Sequence, residues 1–188
     1  MSGLAAEVNA APSAEHAAAA PRCTGTTTHG AMHVHHGHLR ADWSETALTA
    51  DLDTARAVLA TNLFGAWRVT QAMLPLLRRS RAPRILNVAS GAGSHGDPQF
   101  GLATGAGVAS YGVSKAALLA LTTKLAVERP EDILVNAVCP GLTATAPGME
   151  AMGARPFAEG AAGILWAASL PKDGPTGGFF RDEQPLPW

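Results

Sequence analysis

Two apolar runs, each followed by a loop and then by a helical pattern, constrain the fold of this chain most. The runs are residues 84–89 (RILNVA) and 133–138 (ILVNAV). Continuous apolar runs of this length are typical of strands that are buried on both faces. Because a helical segment follows each run, the order predicts parallel strands joined by crossover helices. We therefore expect an α/β fold.

Three helices are expected around these strands. In the first, over residues 52–79, apolar residues recur at helical spacing, and Pro75 predicts a kink or a boundary. The second covers residues 110–128. The third covers residues 156–169, with a proline at the tolerated first turn. Residues 177–180 (GGFF) are a candidate for a short last strand.

Composition changes near residue 40 and suggests two units. Residues 1–40 are rich in Ala, Thr, Gly and His without a sustained period, so we expect an irregular or disordered segment. Residues 41–188 carry the globular patterns. His33, His35 and His38 have spacings that could bind a transition metal, but a structural site needs fixed geometry. We therefore expect no metal site, and a histidine-rich metal carrier is the least favoured function.

Charge and hydropathy exclude several classes of partner. The formal net charge is −1, which gives no reason to expect nucleic acid or an anionic membrane surface as a partner. The longest apolar stretch, residues 161–170, is too short to cross a bilayer. With only Cys23 and Cys139, no disulfide framework is implied, and we expect a reducing, cytoplasmic setting.

Tyr111 and Lys115 are the strongest indication of chemistry in the sequence. Their spacing puts both side chains on one face of the second helix, and Tyr111 is the only tyrosine of the chain. An ammonium beside a phenol favours the phenolate, so we expect a lowered pKa for Tyr111. Such a phenol can exchange a proton with a carbonyl or alcohol oxygen. Taken alone, the two residues also fit an ordinary pair on a helix surface.

Further candidates accompany this pair. Ser90 follows the first strand, at the end where open α/β sheets bind their ligands. Asn62 is a polar residue among apolar neighbours in the first helix. Taken alone, Ser90 could be a turn or cap residue. Asn62 taken alone could form hydrogen bonds with backbone groups at a helix irregularity. The remaining candidates follow the second strand: Pro140, Gly141, Thr143 and Thr145. A proline–glycine pair taken alone is also an ordinary turn signal.

In these motifs the chain resembles the short-chain dehydrogenase/reductase family, over residues 41–188. The similar segments are residues 61–65 (TNLFG), 85–90 (ILNVAS), 111–115 (YGVSK), 136–141 (NAVCPG) and the ending at 174–182. The resemblance, to carbonyl-reductase-like members in particular, implies an NAD(P)-dependent oxidoreductase with a doubly wound, Rossmann-like parallel sheet. It would act on a small-molecule carbonyl or secondary alcohol, with NADPH as the expected cofactor.

The resemblance also implies roles for single residues. Tyr111 would donate or accept the proton, and Lys115 would lower its pKa and bind the nicotinamide ribose. Ser90 would bind the substrate oxygen, and Asn62 would help to hold an ordered water in the proton relay. The residues along the nicotinamide end of the cofactor would be Tyr111, Lys115, Pro140, Gly141, Thr143 and Thr145.

One part of the family pattern is not matched. Family members begin with a strand and a glycine-rich turn that binds the pyrophosphate at a helix N-terminus. Residues 24–31 (TGTTTHGA) have His29 and Ala31 where glycines are needed. We therefore expect a partial doubly wound sheet that lacks the N-terminal glycine-rich half. Residues 20–40 offer no convincing substitute strand, so the edge of the strand at 84–89 is expected to be unpaired.

Two functions remain open at this point. The first is the NAD(P)-dependent oxidoreductase. The second is a non-catalytic, truncated remnant that acts at most as an interaction or dimerisation module. In the family, the helices that correspond to residues 52–79 and 110–128 often pack between subunits, so a homo-oligomer through these helices is compatible with either function.

Overall fold

The structure, a computed structural model, describes residues 31–34, 44–105, 107–129 and 132–188. The strands in chain order are β1 Ala31–Val34, β2 Arg84–Val88, β3 Leu134–Val138, β4 Phe179–Arg181 and β5 Gln184–Pro185. The α-helices are α1 Leu52–Leu59, α2 Ala66–Leu77, α3 Ala109–Glu128 and α4 Phe157–Ala168. A π-helix, Ala60–Gly65, connects α1 to α2.

The five strands form one sheet in the order β1-β2-β3-β4-β5. The first four are parallel, and β5 returns antiparallel to β4. Helices connect the parallel strands. Along the chain, α1 and α2 lie between β1 and β2, α3 lies between β2 and β3, and α4 lies between β3 and β4. This arrangement confirms the expected α/β fold with crossover helices.

Side chains alternate between two helical layers. On one face, Ile85 of β2 and Val135 of β3 belong to a core that includes Leu118 of α3 and Leu77 of α2. On the other face, Leu86 and Val138 pack with Ala167 of α4. The sheet is therefore covered on both faces, which explains why its central strands are continuous apolar runs.

The first expected helix is interrupted. Apolar spacing predicts one helix over residues 52–79, whereas the structure has α1, the π-helix and α2 in succession, ending at Leu77. Pro75 lies within the last turn of α2, so the irregularity falls ten or more residues earlier than the proline indicates. π-turns are short and lie inside otherwise regular helices, so an apolar pattern taken over the whole stretch does not locate one.

The expectation that residues 20–40 supply no strand was wrong. β1 pairs in parallel with β2, in a register that places Met32 opposite Ile85 and His33 opposite Leu86. The peptide groups along a strand edge require hydrogen-bond partners, and a four-residue segment is enough to provide them. The edge of β2 is therefore paired.

The unit boundary at residue 40 stays a prediction. Residues 1–30 and 35–43 lie outside the described residues, and with them the stretch 24–30 that was compared with the glycine-rich turn. Five further residues also lie outside the described part of the chain: Cys23, His29, His35, His36 and His38. In the part of the chain that the structure describes, no group of His, Cys, Asp and Glu is arranged to hold a metal ion. None of the described helices combines the length and apolar character needed to cross a membrane.

Candidate active site

The candidate residues meet at the carboxyl edge of the parallel sheet. β2 ends at Val88 and β3 ends at Val138, so the turns that carry Ser90 and Pro140 lie side by side. α3 places Tyr111 in its first turn, close enough to Ser90 for the serine hydroxyl to lower the pKa of the phenol. The parallel register thus brings together residues that are far apart in the sequence.

The environment of Tyr111 differs from the expected one. The residue is half-buried, and burial raises the pKa of its phenol to about 12. The Cys139 sulfur raises the pKa of Tyr111 further, while the nearby Ser90 hydroxyl lowers it. The expectation of a lowered pKa was therefore wrong, because the cost of burying a phenolate exceeds the stabilisation that its neighbours provide.

Lys115 is almost completely buried, with 4% of its surface exposed. Its ammonium nitrogen Nζ donates a hydrogen bond to the Val88 carbonyl oxygen at 2.9 Å and lies 5.5 Å from the centre of the Tyr111 ring. Burial lowers the pKa of Lys115 to about 8, although the Cys139 sulfur acts in the opposite direction. The two side chains therefore share one face of α3, as the spacing predicts.

Asn62 lies in the π-helix and is 5% exposed. Its Nδ2 donates to the Ser114 hydroxyl at 2.9 Å, and this hydroxyl donates to the carbonyl oxygen of Tyr111 at 2.7 Å. The side chain thus binds α3 one turn beyond the phenol. Single π-turns inside helices occur frequently at functional sites. The role of Asn62 in a proton relay stays a prediction.

Ser90 and Pro140 belong to two turns that Cys139 connects. Ser90 caps a 3₁₀ turn, Gly91–Gly93, and its Oγ accepts a hydrogen bond from the Ala92 amide at 3.2 Å. The buried Cys139 sulfur accepts from the Gly91 amide at 3.2 Å and from the Gly141 amide at 3.4 Å. The loop after β2 and the turn after β3 are therefore held by one side chain.

The turn after β3 needs glycine at residue 141. Gly141 has a φ of +72°, and a Cβ atom there would lie 2.9 Å from the Arg155 guanidinium carbon. Thr143 Oγ1 donates to the Pro140 carbonyl oxygen at 3.0 Å. Thr145 is exposed, and its hydroxyl contacts the Met149 sulfur at 3.6 Å. Among Pro140, Gly141, Thr143 and Thr145, Thr145 is the exposed one.

Two further interactions around the site have no signal in the sequence. Asp97 of the loop after Ser90 forms an ion pair with Arg181 of β4, and their side chains are 0% and 12% exposed. The Glu45 carboxylate accepts hydrogen bonds from the amide, at 3.3 Å, and the hydroxyl of Ser110. A carboxylate at this position stabilises the first turn of α3, which carries Tyr111. Both pairs join residues more than 60 positions apart, so no local motif marks them.

The donor set fits one end of a nicotinamide cofactor better than the other. An ammonium, a phenol and a threonine hydroxyl beside a glycine turn suit ribose hydroxyls and a carboxamide. A pyrophosphate needs an open helix N-terminus. In the described ranges, Asp51 caps α1, Glu45 caps α3, and Glu159 lies in the first turn of α4. These carboxylates repel a phosphate, so the described residues fit the nicotinamide–ribose end alone.

Sequence comparison identifies relatives of the chain. The sequence model of the short chain dehydrogenase family matches residues 37–154. The chain is 31% identical to (+)-neomenthol dehydrogenase from Capsicum annuum, over 68% of this chain and 51% of the relative. It is 33% identical to (-)-isopiperitenone reductase from Mentha piperita, over 70% of this chain and 52% of the relative. The chain thus spans about half the length of the curated relatives it matches.

Solved structures resemble the fold as well. NADPH-bound carbonyl reductase from chicken fatty liver aligns with a TM-score of 0.64 and 25% identity, over 77% of this chain and 61% of the other. Salutaridine reductase from Papaver somniferum aligns with a TM-score of 0.56 and 32% identity, over 69% of this chain and 55% of the other.

Proposed function

The chain belongs to the short-chain dehydrogenase/reductase family, and from this premise we propose that it is an NAD(P)-dependent oxidoreductase. The reaction is the reduction of a ketone or aldehyde, or the oxidation of a secondary alcohol. The observation that carries the proposal is the grouping of the Tyr111 phenol, the nearby Ser90 hydroxyl and the Lys115 ammonium, whose nitrogen lies 5.5 Å from the centre of the Tyr111 ring.

The chain's own residues bind the substrate oxygen and supply its proton. With a pKa of about 12, Tyr111 keeps its proton at neutral pH and donates it to the carbonyl oxygen when the carbonyl carbon takes up hydride. The Ser90 hydroxyl binds the same oxygen, and Lys115 lies behind the phenol as the group that holds the ribose. Asn62 supports the turn of α3 that carries both side chains. The nicotinamide group, when bound, supplies or accepts the hydride.

The names of the relatives support this substrate class. A neomenthol dehydrogenase, a salutaridine reductase and carbonyl reductases stand among them, and one of these structures is described as NADPH-bound. We therefore propose a small carbonyl compound or secondary alcohol as substrate and NADPH as cofactor, with Pro140, Gly141, Thr143 and Thr145 along the nicotinamide end. A cytoplasmic setting belongs to the same proposal.

Fluorescence titration with NADPH and NADH tests the proposal, since every catalytic step requires this binding. We expect NADPH fluorescence to change on binding and a panel of carbonyl compounds to be reduced. Tyr111→Phe should keep the binding and lower turnover by about 100-fold or more, because it removes the transferred proton. Equal thermal unfolding of the variant and the native chain is the control. No binding of either nucleotide at millimolar concentration would contradict the proposal.

The alternative is a non-catalytic dimerisation module. Six large apolar side chains are exposed on the described helices within residues 52–79 and 110–128: Leu52, Phe64, Trp67, Leu76, Val113 and Val127. The carboxylates at the described helix N-termini also disfavour cofactor phosphates. A chain that binds no nucleotide but sediments as a dimer, and becomes a monomer on Trp67→Lys, would establish this alternative.

A further inference from the structure

The buried ion pair between Asp97 and Arg181 connects two parts of the molecule that flank the site. Asp97 belongs to the loop that follows Ser90, and Arg181 is the last residue of β4. The Asp97 Oδ1 atom also accepts hydrogen bonds from the amides of Gln99 at 2.9 Å and Phe100 at 3.3 Å. Both carboxylate oxygens are thus engaged, and the loop is folded around them.

Arg181 makes three kinds of contact from its position at the end of β4. Its Nη2 donates to Asp97 Oδ2 and lies 3.5 Å from the Cys139 sulfur. Its guanidinium carbon lies 5.2 Å from the centre of the Phe100 ring, which is a cation–π geometry. The guanidinium therefore joins the loop after β2 to the residue that also holds the turn after β3.

The pair lies directly against Gly91, the residue after Ser90. A Cβ atom on Gly91 would be 1.9 Å from Asp97 Oδ2 and 2.3 Å from Arg181 Nη2. Gly91 has an ordinary negative φ, so the requirement for glycine comes from this close approach rather than from the backbone conformation. Its amide is fixed at the same time by the Cys139 sulfur. The ion pair and Cys139 thus fix the backbone next to the Ser90 hydroxyl.

The carboxyl-terminal residues hold the same loop at a second place. The Ser94 hydroxyl donates to the Pro187 carbonyl oxygen at 2.7 Å, and the Gly96 amide donates to the Trp188 carbonyl oxygen at 2.9 Å. These bonds hold Ser94 and Gly96, and the Ser94 amide donates in turn to the Gly91 carbonyl oxygen at 2.8 Å. The ion pair is the contact through which a side chain of β4 lies directly against Gly91.

We propose that Arg181 is a positioning residue that acts through Asp97 and Gly91 to hold the Ser90 hydroxyl against the Tyr111 phenol. The inference rests on the proposed function only where it calls Ser90 and Tyr111 the reacting pair. The contacts themselves are independent of any turnover. A buried charge pair of this kind specifies geometry more than it stabilises the fold, because desolvation offsets its attraction.

The single tyrosine allows a direct test without cofactor or substrate. In protein labelled with ¹³C at the tyrosine Cζ, Tyr111 gives one resonance that reports the surroundings of its phenol, including the nearby Ser90 hydroxyl. Ser90→Ala defines the position of this resonance without that hydroxyl. We expect Arg181→Met to move it toward the Ser90→Ala position. Arg84→Met is the matched control, because Arg84 is also buried but lies at the opposite end of β2 and donates to the Leu170 carbonyl oxygen.

A second variant keeps the test valid if Arg181→Met does not fold. Gly91→Ala retains both charges but inserts a methyl group into the pair, and we expect the same shift of the Tyr111 resonance. In the unmodified chain, the Gly91 amide should exchange with solvent as slowly as the amides of β2. A native Tyr111 resonance in either folded variant, or rapid exchange at Gly91, would overturn the proposal. Absence of turnover would contradict the proposed function and leave these measurements unaffected.

Discussion

At the scale of single residues, burial acts on Tyr111 and Lys115 in opposite directions. It raises the pKa of the phenol to about 12 and lowers the pKa of the ammonium to about 8. Both changes favour the neutral form, because removal from water penalises charge of either sign. The proton that the phenol would transfer is therefore retained at neutral pH, whereas the charge of Lys115 responds to modest changes in pH.

Lys115 should make the stability of the native chain depend on pH. Its pKa is 10.5 in the unfolded reference and about 8 in the folded chain. Between these values the unfolded chain binds more protons, so the free energy of unfolding rises with pH. Lys115→Met should abolish this rise, which amounts to roughly 3 kcal/mol at most. Urea denaturation at a pH just below 8 and again near 10 measures the difference.

Lys124→Met is the control for this experiment. Lys124 is exposed and forms an ion pair with Glu128 on the same helix, so its removal should leave the pH dependence of the native chain in place. If the native chain and Lys115→Met showed parallel stability curves over this range, the ammonium of Lys115 would not be buried in solution.

The site residues differ in how far the sequence reveals them. Tyr111 and Lys115 could be predicted because a helical spacing puts them on one face, and Ser90 because it follows a buried strand. The pKa of Tyr111 could not be predicted, since desolvation depends on everything that packs around the phenol. Asp97 and Arg181 lie 84 positions apart, so only the folded sheet brings them together.

At the scale of elements, the π-helix and α3 form one unit. The Asn62 amide is buried and donates to Ser114, whose hydroxyl in turn donates to the Tyr111 carbonyl oxygen. This buried polar contact with α3 comes from the π-turn itself, because Asn62 is one of its residues. An apolar pattern cannot distinguish this arrangement from a continuous helix, which is why the interruption was not predicted.

Ser114→Ala tests the connection between these two elements. The substitution leaves the buried Asn62 amide without an acceptor, and we expect a loss of about 1–3 kcal/mol in the free energy of unfolding. Ser169→Ala is the matched control, because Ser169 also donates to a carbonyl oxygen of its own helix, that of Leu165, but is exposed. Its effect should stay within about 0.5 kcal/mol.

A double-mutant cycle isolates the contact itself. We expect Asn62→Ala and Ser114→Ala together to be less destabilising than the sum of the single substitutions, by about 0.5 kcal/mol or more. Strict additivity in thermal or urea unfolding would mean that the hydrogen bond between Asn62 and Ser114 contributes nothing in solution.

At the scale of the whole molecule, the sheet formed by the described strands is open, and its two edges differ. At one edge, β1 covers β2 over four residue pairs; at the other, β4 is covered by the two-residue strand β5 and by the packing of Trp188 on Phe179, with ring centres 5.8 Å apart. The parallel centre of the sheet could be predicted because both of its faces are buried and its strands are uniformly apolar. β1 could not be predicted, because a short edge strand is defined by its neighbour and carries little signal of its own.

The pairing of β1 with β2 should protect the chain from self-association. A variant without residues 1–34 loses β1 and leaves the apolar β2 with unpaired peptide groups along one side, a surface that favours pairing with another chain. A variant without residues 1–30 keeps β1 and is the matched control. We expect the shorter chain to self-associate and the control to match the full chain, as measured by light scattering on a sizing column. The same oligomeric state and the same stability for the two truncated chains would mean that the edge of β2 needs no partner from Ala31–Val34. The unpaired edge expected from the sequence would then be the better description.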